Sequence, residues 1–132
     1  MRPTITDNPR YVFVYGTLRQ GEQRDINRLQ PAPVCIGNSQ VKGTLYNLGS
    51  YPGLSLDGAQ WVQGEVYQIT PELERQLDEI EEVWPQQTGE YVRREVVLQC
   101  AGMDLTCLVY EASEERTQGR GLIASGDWLH LT

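Results

Sequence analysis

A chain of 132 residues, 39% hydrophobic and 22% charged, has the length of one ordinary domain and the composition of a soluble globular protein rather than a fibrous or disordered one. Its formal charge of -7, with eleven Lys and Arg spread along the chain, argues against nucleic acid as a partner, because phosphate binding needs clustered cations. No apolar run approaches the ~20 residues of a spanning helix, and the opening "MRPTITDNPR" lacks the apolar centre of a signal peptide, so the expected setting is the cytoplasm, with no membrane partner.

In chain order, "YVFVY" at 11–15 is β-branched or aromatic throughout, which suits a strand covered on both faces, and it stops abruptly at Gly16-Thr17-Leu18. A short helix is expected between Glu22 and Leu29, where Ile26 and Leu29 share a face of an otherwise polar segment. "VCIGNSQVKGTLYNLG" at 34–49 has strand propensity broken by Gly37 and Gly43, predicting a long strand bent by a bulge. "GSYPGLSLDG" at 49–58 is rich in turn formers and reads as an ordered loop. "WVQGEVYQI" at 61–69 reads as another strand, with Trp61, Gln63, Glu65 and Tyr67 on one face and Val62, Val66 and Gln68 on the other.

Thr70 can cap a helix and Pro71 is favoured at its first position, so "PELERQLDEIEEVW" at 71–84 is predicted helical, with Leu73, Leu77 and Ile80 on one face. "EYVRREVVLQC" and "MDLTCLVYEA" form a predicted hairpin around "AGMD", and "SGDWLHLT" is a tail pinned by Trp128. The sum is one α+β domain over residues 1–132, with about five strands, one or two helices and a glycine-broken sheet able to close into a small barrel.

Little points to metal or nucleophile chemistry. Cys35, Cys100 and Cys107 cannot all pair within the chain and none lies in C-x-x-C, so they read as reduced, partly buried apolar residues. With His130 the single histidine, neither a metal site nor His-dependent nucleophile activation is expected. Ser39 and Lys42 have S-x-x-K spacing, but the companion motifs are absent and strand alternation explains them; no G-x-S-x-G, phosphate loop or dinucleotide fingerprint occurs.

Two features do suggest chemistry. Where a strand buried on both faces ends in Gly16-Thr17-Leu18, the backbone N–H groups beyond it need new partners, and they could hold a carboxylate or amide oxygen; alternatively Gly16 only supplies a turn angle. On the helix, taking Leu73 as 0°, Leu77 falls at about 40°, Ile80 at about -20° and Glu81 at about 80°, whereas Glu82 and Glu79 fall at about 180° and 240°. Glu81 thus continues the apolar ridge. Partial burial, Asp78 and Glu82 nearby, and the negative helix end would all raise its pKa toward the range of a general acid/base. The alternative is a border residue in water or paired with Arg93 or Arg94.

"FVYGTLRQG", "GSYPGL", "VQGEVYQI", "LDEIE", "YVRREV" and "SGDW", in that order over nearly the whole chain, resemble the gamma-glutamylcyclotransferase-like family. The resemblance implies a small mixed β-barrel of about five to six strands with one or two flanking helices. It implies a cofactor-free, metal-independent reaction on a small γ-glutamyl substrate, in which Tyr15, Gly16, Thr17 and Leu18 bind the glutamyl end and Glu81 is the catalytic acid/base. The product would be 5-oxoproline and a free amine. Tyr51, Tyr91 and Tyr110 complete the expected substrate-binding set, with Tyr91 or Tyr110 steadying the oxyanion. The chain departs from the family at Glu82, where glycine is common, and in the longer connection "VWPQQTG" before Tyr91. A non-catalytic module that binds a small ligand in the same cavity is the alternative reading. The leaving amine and the oligomeric state are not set by these motifs.

Overall fold

The structure, a computed structural model, describes residues 10–81 and 91–130. Six strands form one mixed sheet in the order β4-β5-β1-β3-β2-β6. These are β1 (Arg10–Val14), β2 (Val34–Asn47), β3 (Pro52–Ile69), β4 (Tyr91–Cys100), β5 (Met103–Ala112) and β6 (Gly121–Leu122). The helices are α1 (Pro71–Ile80) and the short α2 (Glu114–Thr117), and a single 3-10 turn, Ile26–Arg28, follows β1. No helix among the described residues is long and apolar enough to cross a membrane.

The sheet curls into a half-barrel, and its two faces carry separate cores. Phe13 and Tyr15 point to the inner face with Val41, Leu54, Val62, Val66 and Val109. Val12 and Val14 point outward, where they pack with Tyr67, Leu73, Leu77 and Leu108 under α1. The unbroken apolar character of 11–15 therefore has the expected cause: β1 lies between antiparallel β3 and parallel β5 and is covered on both faces. At the far edges the curl brings β2 to β4, where the Ser39 hydroxyl donates to the Gln99 carbonyl at 2.7 Å.

Several expectations change here. The bulges predicted in β2 occur at Cys35/Gly37 and Gly43/Thr44. The loop expected at 49–58 is mostly strand, because 52–55 pair with 44–47 across a tight turn, so β3 begins at Pro52. Its second half is buried on both faces, with Glu65 and Tyr67 as enclosed as Val62 and Val66, while Trp61 is exposed. The helix expected at 22–29 is only the 3-10 turn. Thr70 caps α1 through its hydroxyl, which accepts from the Leu73 N–H, and Pro71 opens it as predicted; α1 ends at Ile80, and the expected continuation through Glu82 to Trp84 lies outside the described residues, as does the "VWPQQTG" connection. The hairpin turns at Ala101-Gly102, both with positive φ. Trp128 packs against the inner core and its indole N–H donates to Glu22 at 2.9 Å. Cys100 and Cys107 are buried as expected, and burial pushes the Cys107 thiol up to about 12; Cys35 is exposed.

α1 is fastened to the sheet by charge. Arg10 donates through Nε and Nη2 to both oxygens of Glu74 at 2.9 Å, and Arg93 also pairs with Glu74. The Arg10 hydrogen bond, the largest influence, holds the Glu74 carboxyl below its ordinary value of 4.5. A depressed carboxylate pKa stabilises the fold above the unfolded value and loses that contribution as pH falls through the folded one. The melting temperature is therefore expected to fall on acidification below about pH 4.5, and Glu74→Gln to start lower at neutral pH and show a flatter acid limb. Equal acid limbs would contradict this.

Candidate active site

The turn after β1 is built by its carbonyls. Those of Gly16, Thr17 and Leu18 accept from the N–H groups of Arg19, Arg24 and Ile26 at 3.0, 2.8 and 2.9 Å. Among the described residues no acceptor takes the N–H of Gly16, Thr17 or Leu18. A buried turn that leaves donors in this state is suited to an oxygen ligand or water. Gly16 owes its identity to a close approach: a Cβ there would lie 2.6 and 2.8 Å from the Pro52 ring carbons. The alternative reading of Gly16 as only a turn angle is not needed, because this close approach already requires glycine. Gly16→Ala is expected to cost about 1–3 kcal/mol by overpacking against a rigid ring and, by moving Pro52, to impair whatever the cavity binds; thermal melting checks the first, and an unchanged melting temperature would contradict it.

Behind the turn sits a buried charge network. Arg19 Nε meets Glu65 at 3.0 Å and Arg19 Nη1 meets Asp127 at 2.8 Å, with the Arg19 and Glu65 side chains only 9% exposed. Glu65 also accepts from the Gln20 N–H and the Tyr67 hydroxyl, at 2.9 and 2.8 Å. Residues of "TLRQG", "GEVY" and "SGDW" are thus tied together at one point.

A cavity of about 110 Å³ opens beside the turn. The turn contributes Tyr15, Gly16, Thr17 and Leu18; the end of α1 contributes Ile80 and Glu81; the sheet contributes Tyr91 and Tyr110; Tyr51 and Pro52 line it at the start of β3. Every residue expected at the site, from five separated stretches of chain, lines this one space. Glu81 is the C-cap of α1, half-buried, its N–H held by the Leu77 carbonyl at 2.9 Å. Arg93 and Arg94, the alternative partners weighed for Glu81, are engaged by Asp78 and Glu74 and by Glu111 respectively.

Tyr15 and Tyr110 are fixed by hydrogen bonds, and their surroundings favour the protonated phenol. Tyr15 donates to the Tyr110 carbonyl at 2.7 Å and accepts from the Leu54 N–H at 3.2 Å; burial, the largest influence, and the nearby Glu81 charge push its pKa well up. Tyr110 donates to Asp78 at 2.6 Å, and its pKa is likewise raised by burial, by that hydrogen bond and by the Asp78 charge. Tyr91 donates to the Pro52 carbonyl at 3.1 Å. Because the Tyr91 and Tyr110 protons are committed to protein acceptors, the turn N–H groups are the better donors for an oxyanion. Among the described residues, no group of three His, Cys, Asp or Glu is placed to hold a metal.

Sequence reasoning missed Arg24 and Pro52 on the cavity wall and Asp78 behind it. Asp78 falls at about 140° from Leu73 on the helical wheel, so periodicity gave no sign that Tyr110 and Arg93 would enclose it.

Comparison with known proteins first gives the fold its class. An AIG2-like protein from Mus musculus superposes with a TM-score of 0.69 over 87% of this chain and 86% of its own, at 22% identity, and so shares the curled-sheet fold. The sequence profile of the family described as "Gamma-glutamyl cyclotransferase, AIG2-like" matches residues 12–130, and the chain belongs to this family of enzymes. A Vibrio cholerae protein that carries the family's name is 40% identical over 119 residues, covering 89% of this chain and 93% of that protein. A Niallia circulans protein named gamma-L-glutamyl-butirosin B gamma-glutamyl cyclotransferase is 39% identical over 72 residues, which are 54% of this chain and 45% of that one.

Proposed function

We propose that the protein is a γ-glutamyl cyclotransferase that converts a small γ-glutamyl amine or peptide into 5-oxoproline and the free amine, with Glu81 as general acid/base. The observation that carries this reading is the meeting, in one cavity, of a half-buried carboxylate and a turn with three N–H groups that have no acceptor among the described residues. The reaction asks little else of the protein. Nucleophile and electrophile belong to the same substrate, so holding the glutamyl end in a near-attack shape supplies much of the acceleration.

Glu81 takes a proton from the α-ammonium, freeing its lone pair to attack the γ-carbonyl carbon. The new C–N bond closes a five-membered ring while the carbonyl electrons move to oxygen, where the turn N–H groups stabilise the charge. As the carbonyl re-forms, the bond to the leaving nitrogen breaks. Both protons shed by the α-nitrogen end on the leaving nitrogen, which departs as an ammonium, and one carboxylate suffices to carry them in turn. Tyr15 and Tyr110 act as rigid walls and Tyr51 and Tyr91 complete the pocket.

Release of 5-oxoproline from a panel of γ-glutamyl amines and peptides, followed by mass spectrometry, tests the proposal. Turnover of at least one member is expected. Ligand-induced thermal stabilisation without product would instead identify a binding module.

A further inference from the structure

Away from the catalytic cavity, the seam between β2 and β4 holds a hollow of about 810 Å³, lined by unbroken runs of chain, residues 38–42 of β2 and 96–99 of β4. Successive residues of a strand point to opposite faces, so a space that touches all of them lies along the strand's edge. The main chain agrees. Gln63 donates its N–H to the Gly126 carbonyl at 2.8 Å and not to β2, so its cross-strand partner Gln40 also turns its N–H and C=O away from β3, and Asn38 and Lys42 follow by alternation. On β4, Cys100 and Met103 face each other across a two-residue turn and pair together, which leaves the main-chain groups of Val97 and Gln99 facing β2.

Two contacts bridge these edges, both at one end. The Ser39 hydroxyl donates to the Gln99 carbonyl at 2.7 Å and the Cys100 thiol to the Asn38 carbonyl at 3.6 Å. Among the described residues no strand pairing joins β2 to β4, so the edges at Gln40, Lys42 and Val97 lie open to the hollow. Its two sides differ in chemistry. Val41, Leu56, Val96 and Leu98 lie on the inner, apolar side. On the outer side Trp61 and Val97 are exposed, and Lys42 Nζ lies 4.8 Å from the centre of the Trp61 ring. Lys42 is the only lysine in the sequence. Among the described residues it has no carboxylate within ion-pair distance, and no acidic side chain lines the hollow.

We propose that this seam docks an extended segment of a partner protein, added as a strand along the open edge of β2, with apolar residues turned inward onto Val96 and Leu98 and acidic residues turned outward beside Lys42. An open edge supplies affinity through main-chain hydrogen bonds, and the side chains around it supply choice. Lysine on such an edge discourages indiscriminate pairing but attracts a strand of opposite charge.

The test uses labelled pentapeptides X-Glu-X-Glu-X, with X as Val, Leu or Phe, titrated with the native protein and followed by fluorescence anisotropy. At least one should bind about tenfold more tightly than its X-Lys-X-Lys-X counterpart, with the preference shrinking as salt is added. A copy N-methylated at every residue, which has no main-chain donors, should lose binding. Lys42→Gln should remove the preference for the acidic peptide, and the amide NMR signals of Gln40, Lys42 and Val97 should shift on binding. Binding by none of the three peptides, equal binding of the lysine or methylated versions, or shifts confined to another face overturns the proposal. Self-association of the native protein in sedimentation, abolished by Val97→Lys, would assign the seam to a second copy and overturn it as well.

Discussion

Glu81→Gln is expected to melt at or slightly above the native temperature while its release of 5-oxoproline falls by about a thousandfold or more. The two halves of this result have one physical source. Glu81 sits at the C-terminal end of α1, where the helix dipole is negative and the last turn holds no basic residue. A carboxylate there is electrostatically unfavourable, so a neutral amide of the same shape removes a small cost to stability. The same substitution leaves nothing able to accept and return a proton. A residue whose replacement helps the fold and abolishes turnover is one kept for function. The exposed neighbour Glu79 supplies the control: Glu79→Gln should change neither quantity. Native activity in Glu81→Gln would require another acid/base.

The largest expected effect on stability is at Arg19. Arg19→Met removes the cation from a buried network and leaves Glu65, a buried carboxylate, without its counter-ion. Breaking a buried pair from one side costs about 3–5 kcal/mol, which for a chain of this size lowers the melting temperature on the order of 10–20 °C. Adding Glu65→Gln should recover part of the loss, because the stranded charge is gone. A single-variant loss under about 1 kcal/mol would mean that the network is solvated and behaves as a surface pair. Activity should fall with Arg19→Met as well, since Gln20 and the binding turn hang from the same carboxylate.

What could be read from the chain beforehand was whatever depends on near neighbours. The apolar run of β1, the Thr70-Pro71 start of α1, the Ala101-Gly102 hairpin and the placement of Glu81 beyond Leu77 on one ridge are all set by residues within a few positions of each other. The segment 52–58 misled because proline and glycine usually mark loops. Here Gly53 is required by a close approach, since a Cβ there would lie 2.7 Å from the Leu48 side chain and 2.8 Å from that of Ala112. The supports of the site were illegible for a related reason. Asp78 finds Tyr110 32 positions away, and Arg19 finds Glu65 46 and Asp127 108 positions away. No local pattern marks an arginine or an aspartate for burial when its partner arrives from so far along the chain.

The position of β1 has a consequence for how the protein comes into being. This strand is the first of the described elements to be synthesised, yet it lies inside the sheet, paired with residues 65–69 and with 107–108. Arg19 waits longer, for Asp127. On a ribosome the turn has only its own short-range hydrogen bonds until the strands that flank β1 have followed. A chain halted before Asp127 lacks one of the two carboxylates that hold Arg19 behind the turn.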